Sequence, residues 1–234
     1  MTFDFLHFDI MKIPQHLGII LDGNRRWAKE KGLAVWEGHR RGVETARKTI
    51  NWAQKKGIKT LTLFIFSTEN WKRKKKEIEF LMKLAGSAIN NSLKEIDKNR
   101  IKVRIIGERA KLPKSLREQI ASVQELTKKN KAMVLNLALS YGGRAEIVEA
   151  VKNLIKKKVP PEKIDEKAIN ENLWTSDVDL IIRTGKEQRL SNFLLWQSAY
   201  SELYFCKKYW PEINERDLDN ALLAFSRRER RYGR

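Results

Sequence analysis

A chain of 234 residues with 41% hydrophobic residues can bury a full core as one large domain or two small ones, and 48 Lys plus Arg against 29 Asp plus Glu leave it at +19. The apolar content excludes disorder as the main state, and a single cysteine, Cys206, excludes an intramolecular disulfide framework or a cysteine-based zinc cluster. The charge suits nucleic acid, anionic lipid or polyphosphate ligands, and equally suits a lysine-rich solvated surface of the heat-adapted kind.

Residues 1–15 read as an N-terminal extension ahead of one domain over 16–234. No apolar stretch reaches the roughly 18 to 20 residues that span a bilayer, and the opening MTFDFLHFDI carries two aspartates where a signal peptide carries Lys or Arg, so the cytoplasm is the expected compartment. The first apolar run, His16 to Leu21, has strand length and leads into Asp22-Gly23-Asn24-Arg25-Arg26-Trp27, a glycine turn that opens a helix. Backbone N–H groups at such a turn and two arginines can hold a phosphate; taken alone, the same residues are a helix cap with surface arginines. Gly38-His39 begins a helix with the stripe Val43, Ala46, Ile50 and Ala53, and His39 adds a possible donor.

A second strand, Thr60 to Phe66, ends in Ser67-Thr68-Glu69-Asn70-Trp71-Lys72-Arg73. A longer helical stripe follows through Ile78, Leu81, Met82, Ala85, Ile89, Leu93 and Ile96. Further strands are expected at Ile101 to Ile106, Met133 to Leu139 and Val178 to Arg183, the last running into Arg183-Thr184-Gly185-Lys186-Glu187-Gln188-Arg189-Leu190-Ser191-Asn192. Pro160-Pro161 breaks a helix inside the domain, and the basic runs Lys72 to Lys76, Lys156 to Lys158 and Arg227 to Arg231 read as solvated faces. Several strands are continuous apolar runs, which predicts a single α/β domain with a central, mostly parallel sheet flanked by helices.

Ligands of open α/β sheets bind beyond the carboxyl ends of the strands. Here three strand ends supply hydroxyls, amides and arginines with little sign of a nucleophile–base pair, which is chemistry for binding oxyanions. Neither a G-x-x-x-x-G-K-[ST] loop nor a G-x-G-x-x-G fingerprint is present, which disfavours a nucleotide triphosphatase or a dinucleotide enzyme.

HLGIILDGNRRWAKEKGL, the Gly38-His39 pair, FSTENWKR and DLIIRTGKEQRLSNFLLWQSAYSELYF, in this order from His16 to the final RERRYGR, resemble the cis-prenyltransferase family of the undecaprenyl or polyprenyl diphosphate synthase type. The resemblance implies a homodimeric α/β fold with a hydrophobic product tunnel between sheet and helices. It implies condensation of isopentenyl diphosphate onto an allylic diphosphate (farnesyl or geranylgeranyl) with Z geometry, giving the precursor of a glycosyl carrier lipid. By the same resemblance Asp22 and Glu202 are magnesium carboxylates, and Gly23, Asn24, Arg25, Arg26 and His39 cradle the allylic diphosphate. Arg183, Arg189 and Ser191, with Leu190 between them, hold isopentenyl diphosphate. Ser67, Thr68, Glu69, Asn70, Trp71 and Arg73 surround the reacting carbons; Asn70, catalytic by position, is assigned to positioning because a carboxamide has no useful basicity. Trp27 and Trp71 read as walls for a prenyl chain.

Two positions depart from the family pattern: Val35 stands where an arginine is common, with Arg25, Arg40 or Arg41 to compensate, and Lys186 stands where a second glycine is common. A non-catalytic subunit of a heteromeric synthase typically lacks residues that this chain keeps. A basic nucleic-acid-binding protein would explain the charge, but no helix-turn-helix, RNA-recognition or zinc-finger signature is present, so nucleic acid is not an expected partner. Product delivery implies peripheral membrane contact. Since the diphosphates bind at strand carboxyl ends, the growing chain runs toward the opposite edge, where Met133 and Ile101 are expected either to floor the tunnel or to be ordinary core.

Overall fold

In the computed structural model, which describes residues 12–228, the apolar runs become six strands hydrogen-bonded in the order β3-β4-β2-β1-β5-β6, with every pairing parallel. They are β1 (His16–Ile20), β2 (Thr60–Ser67), β3 (Ile101–Ile106), β4 (Met133–Tyr141), β5 (Leu180–Arg183) and β6 (Glu202–Phe205). Seven helices accompany them: α1 (Asn24–Glu30), α2 (Val35–Lys55), α3 (Lys75–Lys98), α4 (Lys114–Thr127), α5 (Gly143–Lys156), α6 (Glu166–Asn170) and α7 (Glu215–Ser226). Most of residues 1–15, and the basic run beyond Arg228, lie outside the described residues.

All five residues of β1 are buried, and β4 is buried at every position but one, as expected of central strands covered on both faces. One face carries the larger core, where Trp52 of α2, Met82 and Ile89 of α3, Ile120 of α4 and Leu222 of α7 pack on the sheet. The other face is covered by Tyr141, Val178, Phe193 and Leu194, with Phe64 and Phe193 rings stacked at 4.7 Å. The sixth strand is absent from the expectation drawn from sequence. β6 is only four residues long, half-buried throughout and without clear alternation, so it carries little local signal. Its formation comes from pairing with β5, whose four residues are all buried.

The strand order creates a switch point. β2 lies on one side of β1 and β5 on the other, so the chain ends of β1 and β5 open a crevice at the carboxyl edge of the sheet. From that crevice a cavity of about 670 Å³ descends between the sheet and helices α2 and α3. Its depth is apolar: Leu81, Ala85, Ala88, Ile89 and Ile96 of α3 face Leu63, Leu135, Leu137 and Leu139. From Leu81 to Ile96 the helix rises about 22 Å, so the bore runs much of the height of the domain.

The floor differs from one of the two expectations. Val103, Val123, Leu135 and Ile96 line the deep end, whereas Met133 and Ile101 are each 1% exposed and lie two register pairs below Val103 and Leu135, where Ile101 pairs with Met133. Met133 is therefore core, filled in by α4 and its neighbours. Met133→Ala should destabilise the fold by about 2 to 5 kcal/mol in denaturant titrations, the cost of a buried cavity, and leave the deep end of the bore unchanged.

Candidate active site

The site begins with Asp22, one residue beyond Leu21 at the end of β1. Gly23 follows with φ +111, and a Cβ there would stand 2.5 Å from the Tyr209 ring, so only glycine makes this turn. The turn releases α1, just seven residues long, against α2. At the crossing, a Cβ on Gly38 would lie 2.1 Å from the Asn24 carbonyl oxygen. This close approach brings Asn24 and His39, from two different helices, to the mouth of the same cavity.

Arg183 ends β5 with its side chain only 5% exposed, and its guanidinium is heavily used. One nitrogen donates to Asp22 Oδ2 at 2.9 Å; the other donates to Ser191 Oγ at 2.7 Å and to the Arg189 carbonyl, while Nε has no partner. Arg26 reaches the other Asp22 oxygen at 2.9 Å and Glu187 at 2.8 Å, and Glu187 in turn accepts from Arg189 at 2.6 Å. The Asp22 carboxylate is thus clasped by two arginines, and three arginines converge on one small region. The loop that makes this possible is conformationally tense: Lys186, Ser191, Asn192 and Leu194 all have φ between +44° and +69°. At Lys186 the left-handed backbone explains why a glycine is common there, and its ammonium sits 4.7 Å over the Tyr209 ring.

A second cationic group lies across the mouth. Ser67 ends β2 and its N–H donates to Asn70 Oδ1 at 3.1 Å, closing the 3₁₀ turn Thr68–Lys72. Asn70 therefore has its carbonyl oxygen committed to the backbone and its amide nitrogen left for other work. Glu69 Oε1 accepts from Asn192 at 2.9 Å. Burial would raise the Glu69 carboxyl, but hydrogen bonds from Asn192 and from its own turn outweigh it and hold the group below its usual range. Arg73 is 3.1 Å from Glu77, and His39 Nε2 is buried without a hydrogen-bond partner. Burial first, then Arg73 and Arg25 against an opposing pull from Glu77, press the His39 imidazole down to about 4, so at neutral pH it is an uncharged donor or acceptor.

Asp22, Asn24, His39, Ser67, Glu69, Asn70, Arg73, Arg183 and Ser191 all line one cavity. Other expected residues fall outside its wall. Trp71 does not line the bore: its indole N–H donates to Ser140 Oγ at 2.9 Å and its ring packs edge-on against Phe66, which anchors the turn to β4. Neither Trp27 nor Thr68 is in the lining, and Leu190 packs on the second apolar core. Arg26 stands between the two cationic groups rather than in the His39 group, since its partners are Asp22 and Glu187. Of the arginines named as compensating for Val35, Arg40 and Arg41 pair with Glu37 and Glu44 on exposed helix surface, and Arg25, itself 56% exposed and outside the cavity lining, lies 3.8 Å from Glu77.

Glu202 requires a correction. It begins β6, paired with Leu180 at the amino edge of the sheet, while Asp22 follows the carboxyl end of β1. Glu202 is level with Leu17, so Ile20 is already about 10 Å further along the strands and two strand spacings across, and Asp22 lies beyond it. Glu202 instead pairs with Arg228 at 2.5 Å, so a single chain does not bring the two carboxylates to one ion. Three residues were not singled out from the sequence: Glu77 and Glu187, which balance the arginines, and Asn192, which also accepts from the Arg144 N–H. Acidic residues standing among the basic motif residues are the only local signal for the first two.

Residues 20–233 match the family model described as putative undecaprenyl diphosphate synthase. An isoprenyl transferase of Thermotoga maritima is 49% identical over 228 residues, covering 95% of this chain and 98% of that protein. A ditrans,polycis-undecaprenyl-diphosphate synthase of Pasteurella multocida, specific for (2E,6E)-farnesyl diphosphate, is 43% identical over 97% of this chain and 98% of its own. Among solved structures, lavandulyl diphosphate synthase from Lavandula x intermedia in complex with dimethylallyl diphosphate superposes with a TM-score of 0.91 at 37% identity, over 97% of this chain and 100% of that one. A probable undecaprenyl diphosphate synthase from Campylobacter jejuni gives 0.83 at 38% identity, over 96% and 100%.

The two buried imidazoles make stability depend on pH in a defined direction. His39 is pressed to about 4, and His16, 2.7 Å from Thr62 Oγ1, is also lowered, chiefly by burial. His39 stays neutral in the fold while the unfolded chain protonates near 6.5, so the unfolded state binds more protons and stability falls as pH drops from about 6.5 toward 4, with the lowered His16 acting in the same direction. At about 1.4 kcal/mol per pH unit, His39→Gln should reduce the loss between pH 6.5 and 4.5 by on the order of 2 kcal/mol. Urea midpoints at the two pH values check it; an unchanged difference would mean that His39 is not a buried neutral group.

Proposed function

The chain belongs to the cis-prenyltransferase family of the undecaprenyl diphosphate synthase type, and on that premise we propose that it adds isopentenyl diphosphate units to a farnesyl or geranylgeranyl diphosphate starter. The new double bonds have Z geometry, and the polyprenyl diphosphate formed is the precursor of a glycosyl carrier lipid. The observation that carries this reading is one continuous cavity, whose mouth holds arginines, amides and hydroxyls and whose depth is apolar along α3 from Leu81 to Ile96. Such a cavity fits a molecule with a diphosphate head and a lengthening hydrocarbon tail.

The chemistry needs no nucleophile from the protein. The C1–O bond of the allylic diphosphate breaks and its electrons leave with the diphosphate; the terminal double bond of isopentenyl diphosphate attacks C1; a proton then leaves C2 of the isopentenyl unit. The His39, Arg73, Asn24 and Arg25 group is the site for the allylic diphosphate. Arg183, Arg189 and Ser191 hold the diphosphate of isopentenyl diphosphate, and the Asp22–Arg183 contact keeps the two heads adjacent across the β1–β5 switch point. Asn70, with its carbonyl bound to the Ser67 N–H, positions the reacting carbons, and the proton passes to diphosphate oxygens or the Ser67 neighbourhood.

The donor set at the mouth fits magnesium. No group of three or more metal-ligating side chains exists among the described residues, and magnesium is typically held by one or two carboxylates together with substrate phosphates and waters. Asp22 is the carboxylate that would hold it, and when bound the ion neutralises charge on the leaving diphosphate. Glu202 would contribute only from a second copy of the chain, in the proposed homodimer. No helix among the described residues is long and apolar enough to cross a membrane, and the basic surface would favour anionic head groups during peripheral contact for product delivery.

Incubation with magnesium, labelled isopentenyl diphosphate and each starter, followed by sizing of the products, tests the reading. A ladder of products supports it, and no incorporation with either starter would leave the non-catalytic subunit. Asp22→Asn should abolish turnover while the protein still unfolds cooperatively; near-normal rates at saturating magnesium would reduce Asp22 to a partner for Arg26 and Arg183. Arg189 is 62% exposed and can be removed cleanly, unlike buried Arg183. Arg189→Ala should raise the KM for isopentenyl diphosphate by an amount corresponding to about 1.5 to 3 kcal/mol, with a smaller change for the starter. Equal shifts for both substrates would argue against a separate isopentenyl subsite.

A further inference from the structure

The site holds a carboxylate that the condensation does not call for. Glu77 stands in the first turn of α3, and its Oε1 lies 3.1 Å from Arg73 Nη1, 3.8 Å from Arg25 Nε and 4.0 Å from His39 Nε2. The side chain is 18% exposed, so it is not a solvated surface charge. The three partners arrive from separate elements: Arg25 from α1, His39 from α2 and Arg73 from the end of the 3₁₀ turn.

A structural role explains part of this arrangement. A glutamate in a first helical turn favours the helix, and Arg73 four residues earlier is a local ion-pair partner. Neither effect explains why Arg25 and His39, on two other helices, converge on the same oxygen. The convergence has the form of an anion site whose occupant is part of the chain. His39 Nε2 adds an independent sign, because it is buried, lacks a hydrogen-bond partner and belongs to the cavity lining.

The chemistry of elongation makes such an occupant useful. After each condensation the diphosphate released from the allylic carbon must leave before the lengthened chain can present its own diphosphate there. The Arg73 guanidinium and the His39 imidazole in the cavity wall, with the 56% exposed Arg25 at its rim, would hold that product tightly, and a resident carboxylate competes with it for the same donors.

We propose that Glu77 is the internal counter-anion of the allylic diphosphate subsite, competing with diphosphate for Arg25, Arg73 and His39 so that inorganic diphosphate is released after every condensation. This rests on the assignment of that subsite under the proposed function. Glu77→Gln keeps the size of the side chain and removes its charge, Glu77→Ala removes both, and Glu77→Asp keeps the charge.

Inorganic diphosphate is titrated calorimetrically into the full-length protein and each variant, and KM values are measured for farnesyl diphosphate and isopentenyl diphosphate. The expected result is about tenfold tighter diphosphate binding in Glu77→Gln, a lower KM for the starter, an unchanged KM for isopentenyl diphosphate, and affinity returning toward wild type in Glu77→Asp. Unchanged or weaker diphosphate binding in a folded Glu77→Gln or Glu77→Ala overturns the proposal and leaves Glu77 as a support for Arg73. Failure of both neutral variants to fold also overturns it, in favour of a purely structural cap. A wild-type protein that neither condenses the substrates nor binds diphosphate removes the subsite itself, whereas condensation without the affinity gain removes only the role of Glu77.

Discussion

A guanidinium that is almost fully buried at the end of a central strand has to be paired, because an isolated charge there would be far too costly to keep out of water. Arg183 meets that demand with Asp22 from the neighbouring strand end and with Ser191 and the Arg189 carbonyl from its own loop. These contacts join β1, β5 and the loop after β5 into one unit. They also put a buried cation in the wall of the cavity, since the same arginine that closes the sheet edge is one of its lining residues. The tense backbone of Ser191, Asn192 and Leu194 is sustained by the Arg183–Ser191 pairing together with Asn192, which accepts from the N–H groups of Gly143 and Arg144.

The site is strongly basic yet carefully balanced. Asp22, Glu77 and Glu187 each lie against two or more cationic side chains, so the arginines are neither mutually repelling nor free to collapse onto other acceptors. The network is already ordered, so an anion bound there would cost little side-chain entropy. The net charge of +19 adds a long-range field, whereas the local pairing sets which cation faces which acceptor.

Beneath the mouth, α2 and α3 present apolar faces that do not close fully on the sheet. A space of about 670 Å³ lined by leucine, isoleucine and alanine would ordinarily be collapsed by packing, because unfilled apolar volume is destabilising. Small residues such as Ala85 and Ala88 on α3 keep the helix from filling it, and beyond Val103 and Leu135 the side chains of Met133 and Ile101 are buried in the core and do not line the bore. The boundary between open bore and closed core is thus set by side-chain volume at particular register pairs.

The sequence by itself determined the α/β class, five of the six strands and the stripes of α2 and α3, because apolar periodicity and continuous buried runs are local properties that the chain carries wherever it folds. It also placed Asp22, Ser67 and Arg183 at strand carboxyl ends, since the turn residues that follow each apolar run are equally local. Tertiary structure alone decided what lay beside what. Strand order put β1 next to β5 and so brought Asp22 to Arg183, while the same register carried Glu202 to the opposite edge. Trp71 went to Ser140 instead of the bore, and Met133 fell two register pairs below the floor. Glu77, which reads in the sequence as an ordinary charged residue at the start of a helix, became the meeting point of three elements. Each of these outcomes depends on contacts between residues far apart in the chain, and no local pattern encodes the distance between two strand ends until the sheet has formed.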